Sequence, residues 1–498
     1  MNPLKKLAGQ TAIYGLPSIV GRFLGYMLVP LYTRVFTTGE YGIVSVYYSY
    51  AALLMVILTY GMETAFFRFN ENEENKETVF STGMISLIAS SVLFLILASF
   101  FAQPVANWIE YPQHKDYVIW FAWILALDAL SAIPFAKLRA QHMATRFATI
   151  KMVNIITNIG LNLFFILWCP FSLKQDSWSS ANALINLFYQ PQWGIEYIFI
   201  SNLIASGITL SLLFPLFLGI SWRPDAKLWR KMFIYAFPLL FAGMAGIVNE
   251  TFDRLLLRYL LPADIAEAQV GIYGACYKIS ILMTLFIQAY RFAAEPFFFA
   301  MAKEKDAKVI YAKIMDYFVI TVSLIFLVTM LFLDDFFIDL IGTKFRVGRN
   351  VIPILMLANL FLGVYFNLSI WYKLTSKTIW GAWLSAIGAV ITLSLNFWWI
   401  PLSPDHLIYG YLGSAWATFI CYGSMMVLSY LIGQKYYPVK YNLLPFFGYI
   451  GFAVFLYLVS TFVHPEFTFL RISFHLILLL IFIMVVFFIE KPRLSKLF

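Results

Sequence analysis

Long apolar runs separated by short polar segments extend along almost the whole sequence. A helix needs about 20 apolar residues to cross the hydrocarbon core of a bilayer, and each run approaches or exceeds that length. The pattern therefore predicts fourteen membrane-spanning helices. Their predicted bounds are 11–33, 42–67, 79–102, 118–137, 149–169, 196–219, 232–257, 270–295, 311–333, 351–372, 379–401, 410–433, 443–463 and 470–489.

Composition agrees with a polytopic membrane protein. Of the 498 residues, 61% are hydrophobic and only 12% are charged, whereas a soluble domain has about a quarter charged residues. The three cysteines indicate no disulfide framework, and the five histidines have no metal-ligand spacing. No Gly-Lys dipeptide is present to form a phosphate-binding loop. We therefore expect no metal, no cofactor and no nucleotide hydrolysis.

Lysines and arginines are unevenly distributed among the segments that join the runs. If the N-terminus is inside the cell, 23 of the 35 lie in segments predicted inside and eight in segments predicted outside. Cytoplasmic loops are enriched in these residues, so the bias predicts a membrane protein with both termini cytoplasmic. The net charge of +9 follows from this topology and from contacts with anionic lipid headgroups. It does not predict a nucleic-acid partner.

Two short sequence matches suggest that the chain contains a repeat. "IYGLP" at 13–17 matches "IYAFP" at 234–238, and "YGIVSVYYSY" at 41–50 resembles "VGIYGACYKI" at 270–279. The two matches occur in the same order in both halves. The second copy is eight residues longer, which corresponds to the polar insert "PADIAEAQ" at 262–269.

The repeat predicts two parallel lobes of six helices each. We expect the first lobe at 1–220 and the second at 221–434, followed by an additional helix pair and a cytoplasmic tail at 435–498. Many transporters are built from such repeats, with the substrate bound between them.

Three stretches resemble a known family. They are "LYTRVFTTGEYGIVSVYYSYAALLMVILTYGMETAFFRF" at 31–69, "DRLLLRYLLPADIAEAQVGIYGACYKI" at 253–279 and "AYRFAAEPFFF" at 289–299. These stretches are similar to bacterial polysaccharide flippases of the multidrug/oligosaccharidyl-lipid/polysaccharide (MOP) exporter superfamily. That superfamily also contains the MATE drug exporters and the lipid II flippases. The resemblance implies an all-α, MATE-like membrane fold.

The resemblance also implies a function. We expect a transporter, not an enzyme, that flips a polyprenyl-diphosphate-linked oligosaccharide from the inner to the outer leaflet by alternating access. Its product would serve the biosynthesis of a surface polysaccharide, such as the O-antigen of lipopolysaccharide or a capsule. Membrane lipids and a polysaccharide polymerase are expected partners, and we expect a monomer. In relatives that resemble lipid II flippases the additional helix pair accommodates a lipid tail, which makes 443–489 a candidate for that role.

Three other functions remain open: a lipid II flippase, a MATE-type drug exporter and a membrane polysaccharide polymerase. A polymerase generally needs a sizeable outer domain or loop. The longest predicted outer connections here are only about 26 and 17 residues, at 170–195 and 334–350. In the second of these, Asp334 and Asp335 are expected to form a solvated helix end.

Arg22 and Asp128 lie near the centres of the first and fourth apolar runs. A charge at mid-membrane costs about 2.5–3.5 kcal/mol on insertion scales, so it needs a partner or a water-filled cavity. One interpretation is a static ion pair between the two residues. The other is that Arg22 binds the substrate diphosphate through its forked donors, with Asp128 as a candidate for ion coupling.

Two further cations, Lys278 and Arg291, lie in the eighth run. If they face one lumen with Arg22, they form a ladder of cations along which a diphosphate lipid can pass. An exporter of cationic drugs would need the opposite charge. Arg291 is four residues before Glu295, so a local ion pair is the alternative, next to a helix break expected at Pro296.

The fifth run carries a stripe of asparagines. Asn154, Asn158 and Asn162 recur every four residues and therefore share one helix face. Unsatisfied polar groups are costly in lipid, so we expect this stripe to face inward. It either hydrogen-bonds sugar hydroxyls or ties neighbouring helices together.

The stretch "IVNETFDRLLLRYLL" at 247–261 concentrates three charges in an apolar run. They are Glu250, Asp253 and Arg254. Counting from Lys231 at 1.5 Å per residue places Glu250 about 28 Å along the helix, toward the outside. We expect an outer gate, a release point or a site of ion coupling. The alternative is a structural ion pair between Glu250 and Arg254, which are one helical turn apart.

Overall fold

The computed structural model describes residues 19–494 except for 73–74, 175–184, 303, 464 and 466. Within these residues, thirteen helices are long and apolar enough to cross a membrane. They correspond one to one to the predicted runs from the second to the fourteenth. The first run is helical at residues 19–26 and Val29–Val35, while its beginning, with "IYGLP", lies outside the described residues. The prediction of an all-α membrane protein with about fourteen spans is confirmed.

We number the membrane helices α1 to α14 in chain order. Several of them contain a short break or continue into a second segment. Their bounds are α1, residues 19–26 and Val29–Val35; α2, Thr38–Thr59 and Met62–Asn72; α3, Lys76–Phe100; α4, Lys115–Ala140; α5, Ala144–Leu163, continued to Leu173; α6, Glu196–Leu213; α7, Ala226–Leu260; α8, Ala263–Met301; α9, Ala307–Leu331; α10, Val351–Leu368 and Ile370–Leu374; α11, Ile379–Trp399; α12, Tyr411–Tyr436; α13, Leu443–Phe462; and α14, Thr468–Leu494.

Local sequence explains the start and the break of α2. The Thr37 side chain accepts a hydrogen bond from the main-chain N–H of Glu40, and the Glu40 carboxylate accepts one from the N–H of Thr37. This reciprocal cap satisfies two N–H groups that a helix start leaves unpaired. The break falls at Gly61, whose φ of +73° suits glycine, and a Cβ there would lie 3.0 Å from the carbonyl oxygen of Ala236 in α7.

Helices α7 and α8 are longer than the apolar pattern predicts. Asp225 caps α7 by accepting hydrogen bonds from the main-chain N–H groups of Lys227 and Leu228, so the helix starts six residues before its predicted start. Helix α8 begins at Ala263, so most of the polar insert at 262–269 is helical and lies outside the predicted run of 270–295. Helix α8 also continues through position 296 to Met301, so the predicted break there is wrong. Hydropathy reports the membrane-embedded part of a helix and misses polar turns that extend beyond it.

The chain forms two compact units, residues 1–255 and 256–498. In the first unit α4 packs against α2, α3 and α6, and α5 packs against α6. In the second unit α10 packs against α8 and α12, α11 against α12, and α9 against α13 and α14. The lobe limits at 220 and 434, which follow the sequence repeat, remain a prediction.

Most of α7 belongs to the first unit by its packing. Met232 and Ala236 of α7 lie in a fully buried apolar cluster with Met62, Phe66 and Phe80 of α2 and α3. This cluster and the contact at Gly61 fix α7 against α2. The helix that carries the charged cluster at residues 250–254 is therefore anchored to the first unit.

Candidate functional site

Arg22 of α1 and the charged cluster of α7 share a neighbour in the first unit. Tyr26 lies one turn after Arg22, and its hydroxyl is close enough to interact electrostatically with Arg22, Glu250 and Arg254. The side chains of Arg22 and Glu250 are exposed. Two residues that are 228 positions apart in the sequence thus present opposite charges near one phenol group.

The remaining charges of the α7 cluster are buried and paired. Asp253 is 2% exposed and Arg254 is 9% exposed, and the Arg254 guanidinium lies 3.1 Å from the Asp253 carboxylate. The same guanidinium donates a hydrogen bond of 2.8 Å to the main-chain oxygen of Glu250. Arg254 therefore pairs with the adjacent Asp253. The Glu250 carboxylate, which helical spacing suggested as the partner of Arg254, is exposed.

Asp128 of α4 has partners other than Arg22. It accepts a hydrogen bond of 2.8 Å from the Ser206 hydroxyl of α6, and it interacts electrostatically with Lys151 of α5. The static Arg22–Asp128 ion pair is therefore not formed in this structure. Lys151 in turn lies 4.2 Å from the centre of the Phe135 ring, so its charge has both an anionic and an aromatic neighbour.

Helix α6 presents a polar face toward three neighbouring helices. Asn202 donates to the Tyr48 hydroxyl of α2 at 2.9 Å, Ser206 donates to Asp128, and Thr209 accepts from Asn154 at 2.8 Å. The three residues are spaced i, i+4 and i+7 and so lie on one face. These three residues were not predicted, because run 196–219 is almost uninterrupted in hydropathy. The helical spacing of its polar residues was the signal that would have found them.

The asparagine stripe of α5 is used in part for helix packing. Asn154 donates to Thr209 of α6, and Asn162 accepts a hydrogen bond of 2.8 Å from the Tyr32 hydroxyl of α1. The Asn162 amide also donates to the main-chain oxygen of Asn158. Two of the three amides thus hold α5 to its neighbours, and sugar binding by the stripe stays a prediction.

In the second unit, Glu295 takes a different partner from the one its spacing suggested. Its carboxylate lies 2.6 Å from the Lys373 ammonium at the end of α10. Arg291 lies over the Phe366 ring, 3.9 Å from its centre, and Lys278 is half-buried in the middle of α8. The cation ladder that would include Arg22 joins residues of both units and stays a prediction.

The described residues offer little for metal chemistry. Within the described ranges, no group of three or more His, Cys, Asp or Glu side chains is arranged to hold a metal ion. What the first unit offers instead is a set of polar and charged side chains inside the membrane-spanning parts of α1, α2 and α4 to α7. Such residues mark ligand or ion pathways in membrane proteins.

The same arrangement of helices occurs in solved membrane transporters. The lipid II flippase MurJ in an inward closed conformation matches with a TM-score of 0.67 at 15% identity, over 95% of this chain and 98% of MurJ. An inward-facing multidrug resistance MATE family transporter of the MOP superfamily matches with a TM-score of 0.60 at 13% identity, over 87% of this chain and 94% of that one. A mutant of the Vibrio cholerae MATE transporter VcmN gives 0.56 at 15% identity, over 90% and 100%.

Sequence comparison gives the family. Residues 7–302 match the model of the polysaccharide biosynthesis protein family, which is more than half of the chain. The protein belongs to this family, and the resemblance identified from the sequence is confirmed. No curated protein sequence gives a match.

Proposed function

We propose that this protein is a flippase that moves a polyprenyl-diphosphate-linked oligosaccharide from the inner to the outer leaflet of the cell inner membrane. The oligosaccharide is the repeat unit of a surface polysaccharide, and both termini are cytoplasmic. Membership of the polysaccharide biosynthesis protein family supports the biological process. The MOP fold supports alternating access as the mechanism.

The observation that carries this proposal is the environment of Arg22. Its side chain is exposed although it lies in the middle of an apolar run, and an arginine there needs a wet cavity or a ligand. Asp253 forms an ion pair with Arg254, and Asp128 interacts electrostatically with Lys151. Arg22 is thus the cation of this region best placed to take a diphosphate, whose oxygens match its forked donors.

Glu250 fits the role of a release group. It is exposed and lies near the same Tyr26 hydroxyl as Arg22. A carboxylate in that position competes with a bound diphosphate for the guanidinium, and like charges repel at short range. We propose that Glu250 displaces the diphosphate from Arg22 at one stage of the transport cycle. If the cycle is ion-coupled, Asp128, Glu250 and Asp253 are the candidate carboxylates.

The remaining predicted residues extend the path. Lys278 and Arg291 are proposed to bind the diphosphate later in transport. The helix pair at 443–489 is proposed to contact the lipid tail. Outward movement of an anion is favoured by an inside-negative potential, by about 2.3 kcal/mol per charge per 100 mV. The potential alone can therefore drive export of the substrate.

Arg22→Ala tests this function in cells that depend on the protein. We expect the lipid-linked oligosaccharide to accumulate inside and surface polysaccharide to fall at least tenfold at an unchanged protein level. Arg22→Lys should recover only part of the activity, because an ammonium lacks the forked donors. Arg34→Ala is the matched control, since Arg34 is an exposed arginine at the end of the same helix. Normal polysaccharide in Arg22→Ala cells would exclude Arg22 as the substrate ligand.

The same cells separate the alternative functions. If the protein is a lipid II flippase, cells with Arg22→Ala should instead accumulate lipid II and lyse. Loss of a drug exporter would change drug resistance and leave surface polysaccharide normal. A polymerase defect would leave single repeat units already displayed outside.

A further inference from the structure

Two adjacent acidic residues after α9 have opposite environments. The Asp334 side chain is 43% exposed and lies 3.3 Å from Arg349, which is 58% exposed. The Asp335 side chain is only 4% exposed. The prediction of a solvated helix end is therefore wrong for Asp335, because no sequence pattern distinguishes the two adjacent aspartates.

Asp335 is held by two residues of α14. Arg471 donates from Nε to Oδ1 at 2.7 Å and makes a second contact through Nη2. The ring nitrogen Nδ1 of His475 lies 3.2 Å from Oδ2. Arg471 and His475 are four residues apart and so face the same way on their helix. Both oxygens of the buried Asp335 carboxylate thereby contact side chains on one face of α14.

Helix α14 buries little of its surface against other helices. Only 17% of its most apolar stretch is buried, so most of the helix presents apolar side chains to lipid, which does not favour one position over another. Its far end is tied to α13, where the Tyr449 hydroxyl donates to Glu490 at 2.5 Å. At the end near residue 471, the contact with Asp335 joins the helix directly to the segment that follows α9.

Helix α13 is also joined to α9. The Asn442 amide, at the start of α13, donates to Asp316 of α9 at 2.8 Å. Midway, the Tyr457 ring of α13 packs edge-on against Phe326 of α9 with centres 6.0 Å apart. Helix α13 thus contacts α9 at Asp316 and Phe326. Helix α14 contacts Asp335, in the segment that follows α9.

We propose that Asp335 is a positioning residue that fastens α14 to the end of α9, so that α13 and α14 move with the second unit as one rigid body. In this arrangement α14 does not move away from α9 independently of α13. A cavity of about 200 Å³ beside the contact, lined in part by Tyr457, Ser460 and His475, leaves room for the fastening to open when its charge is removed. The inference does not depend on the identity of the substrate.

Asp335→Asn tests the fastening, because it removes the charge and nearly preserves the shape. The measurement is hydrogen–deuterium exchange on the purified full-length protein, with Asp334→Asn as the matched control one residue away. We expect exchange of the amides at 468–478 to rise at least tenfold in Asp335→Asn and less than twofold in Asp334→Asn. Amides at 443–450, near the other end of the pair, should stay unchanged in both variants.

A conservative variant separates positioning from general damage. Asp335→Glu keeps the charge and should restore protection at 468–478, because the carboxylate can still pair with Arg471. If Asp335→Asn does not accumulate as folded protein, Arg471→Lys should give the same local loss of protection in milder form. Wild-type exchange in Asp335→Asn, or an increase spread evenly over the second unit, would overturn the proposal.

Discussion

Asp253→Asn should destabilise the protein, whereas Glu250→Gln on the same helix should not. The two carboxylates are three residues apart in α7 but differ in environment. The Asp253 side chain is 3% exposed and paired with Arg254, which is 11% exposed, whereas Glu250 is exposed. Neutralising Asp253 removes the negative charge that lies 3.1 Å from the buried Arg254 guanidinium.

The magnitude follows from the burial of the pair. Removing one partner of a buried ion pair costs about 3–5 kcal/mol. Asparagine keeps an oxygen that can accept the hydrogen bond from the Arg254 main-chain N–H, which Asp253 accepts at 2.8 Å, so we expect about 3 kcal/mol, the lower end. At about 2 °C per kcal/mol for large domains, the Tm should fall by about 6 °C. Glu250→Gln should stay within about 0.5 kcal/mol of wild type.

The assay uses cysteines that the protein already has. Cys169, Cys276 and Cys421 are free and buried, so a thiol-reactive dye reports unfolding of the purified protein as fluorescence that rises with temperature. Asp253→Asn/Arg254→Gln completes the test, because the double variant removes both charges of the pair. Its loss should be clearly smaller than the sum of the two single losses. Equal Tm values for Asp253→Asn and Glu250→Gln would refute the assignment of the ion pair.

Three further substitutions in the same thermal assay test the contacts at Gly61 and Ser206 in the first unit. Gly61→Ala should cost about 2 kcal/mol, because a left-handed φ costs a non-glycine residue about 1–2 kcal/mol and the new Cβ meets the Ala236 carbonyl oxygen at 3.0 Å. Gly160→Ala, where a Cβ meets nothing within 4 Å, should instead stabilise α5 by about 0.5–1 kcal/mol, and the opposite order would contradict both assignments. Ser206→Ala removes the hydroxyl that donates to Asp128 and should cost about 1–3 kcal/mol; no loss of Tm would show that water replaces it.

The number and approximate bounds of the membrane helices could be predicted from the sequence, because one physical rule determines them. A segment in lipid must satisfy its backbone hydrogen bonds internally, so apolar runs of sufficient length become helices. The thirteen described spans follow from that rule. The errors occurred where the rule does not apply. The segment 262–269 is polar and lies outside the apolar run, so hydropathy does not predict its helical turns. The helix nevertheless begins at Ala263, directly after Pro262.

The partners of the charged residues could not be predicted in the same way. A sequence shows which residues carry charge, but the partner depends on how each helix is rotated about its axis. Spacing suggested Glu250 for Arg254 and Arg291 for Glu295, yet the structure gives Asp253 to Arg254 and Lys373 to Glu295. Lys373 is 78 positions from Glu295, and no local pattern could have joined the two residues.

The pairing pattern narrows the choice of residues that contact substrate. Asp253 is buried in an ion pair, and Asp128 is hydrogen-bonded to Ser206 beside Lys151. Groups satisfied in this way stabilise the first unit and would have to break a contact before they could bind a ligand. Arg22 and Glu250 are exposed and share the Tyr26 hydroxyl as a neighbour. Substitution of Arg22 or Glu250 should therefore reduce transport at a normal Tm, whereas substitution of Asp253 should lower the Tm and with it the amount of folded protein.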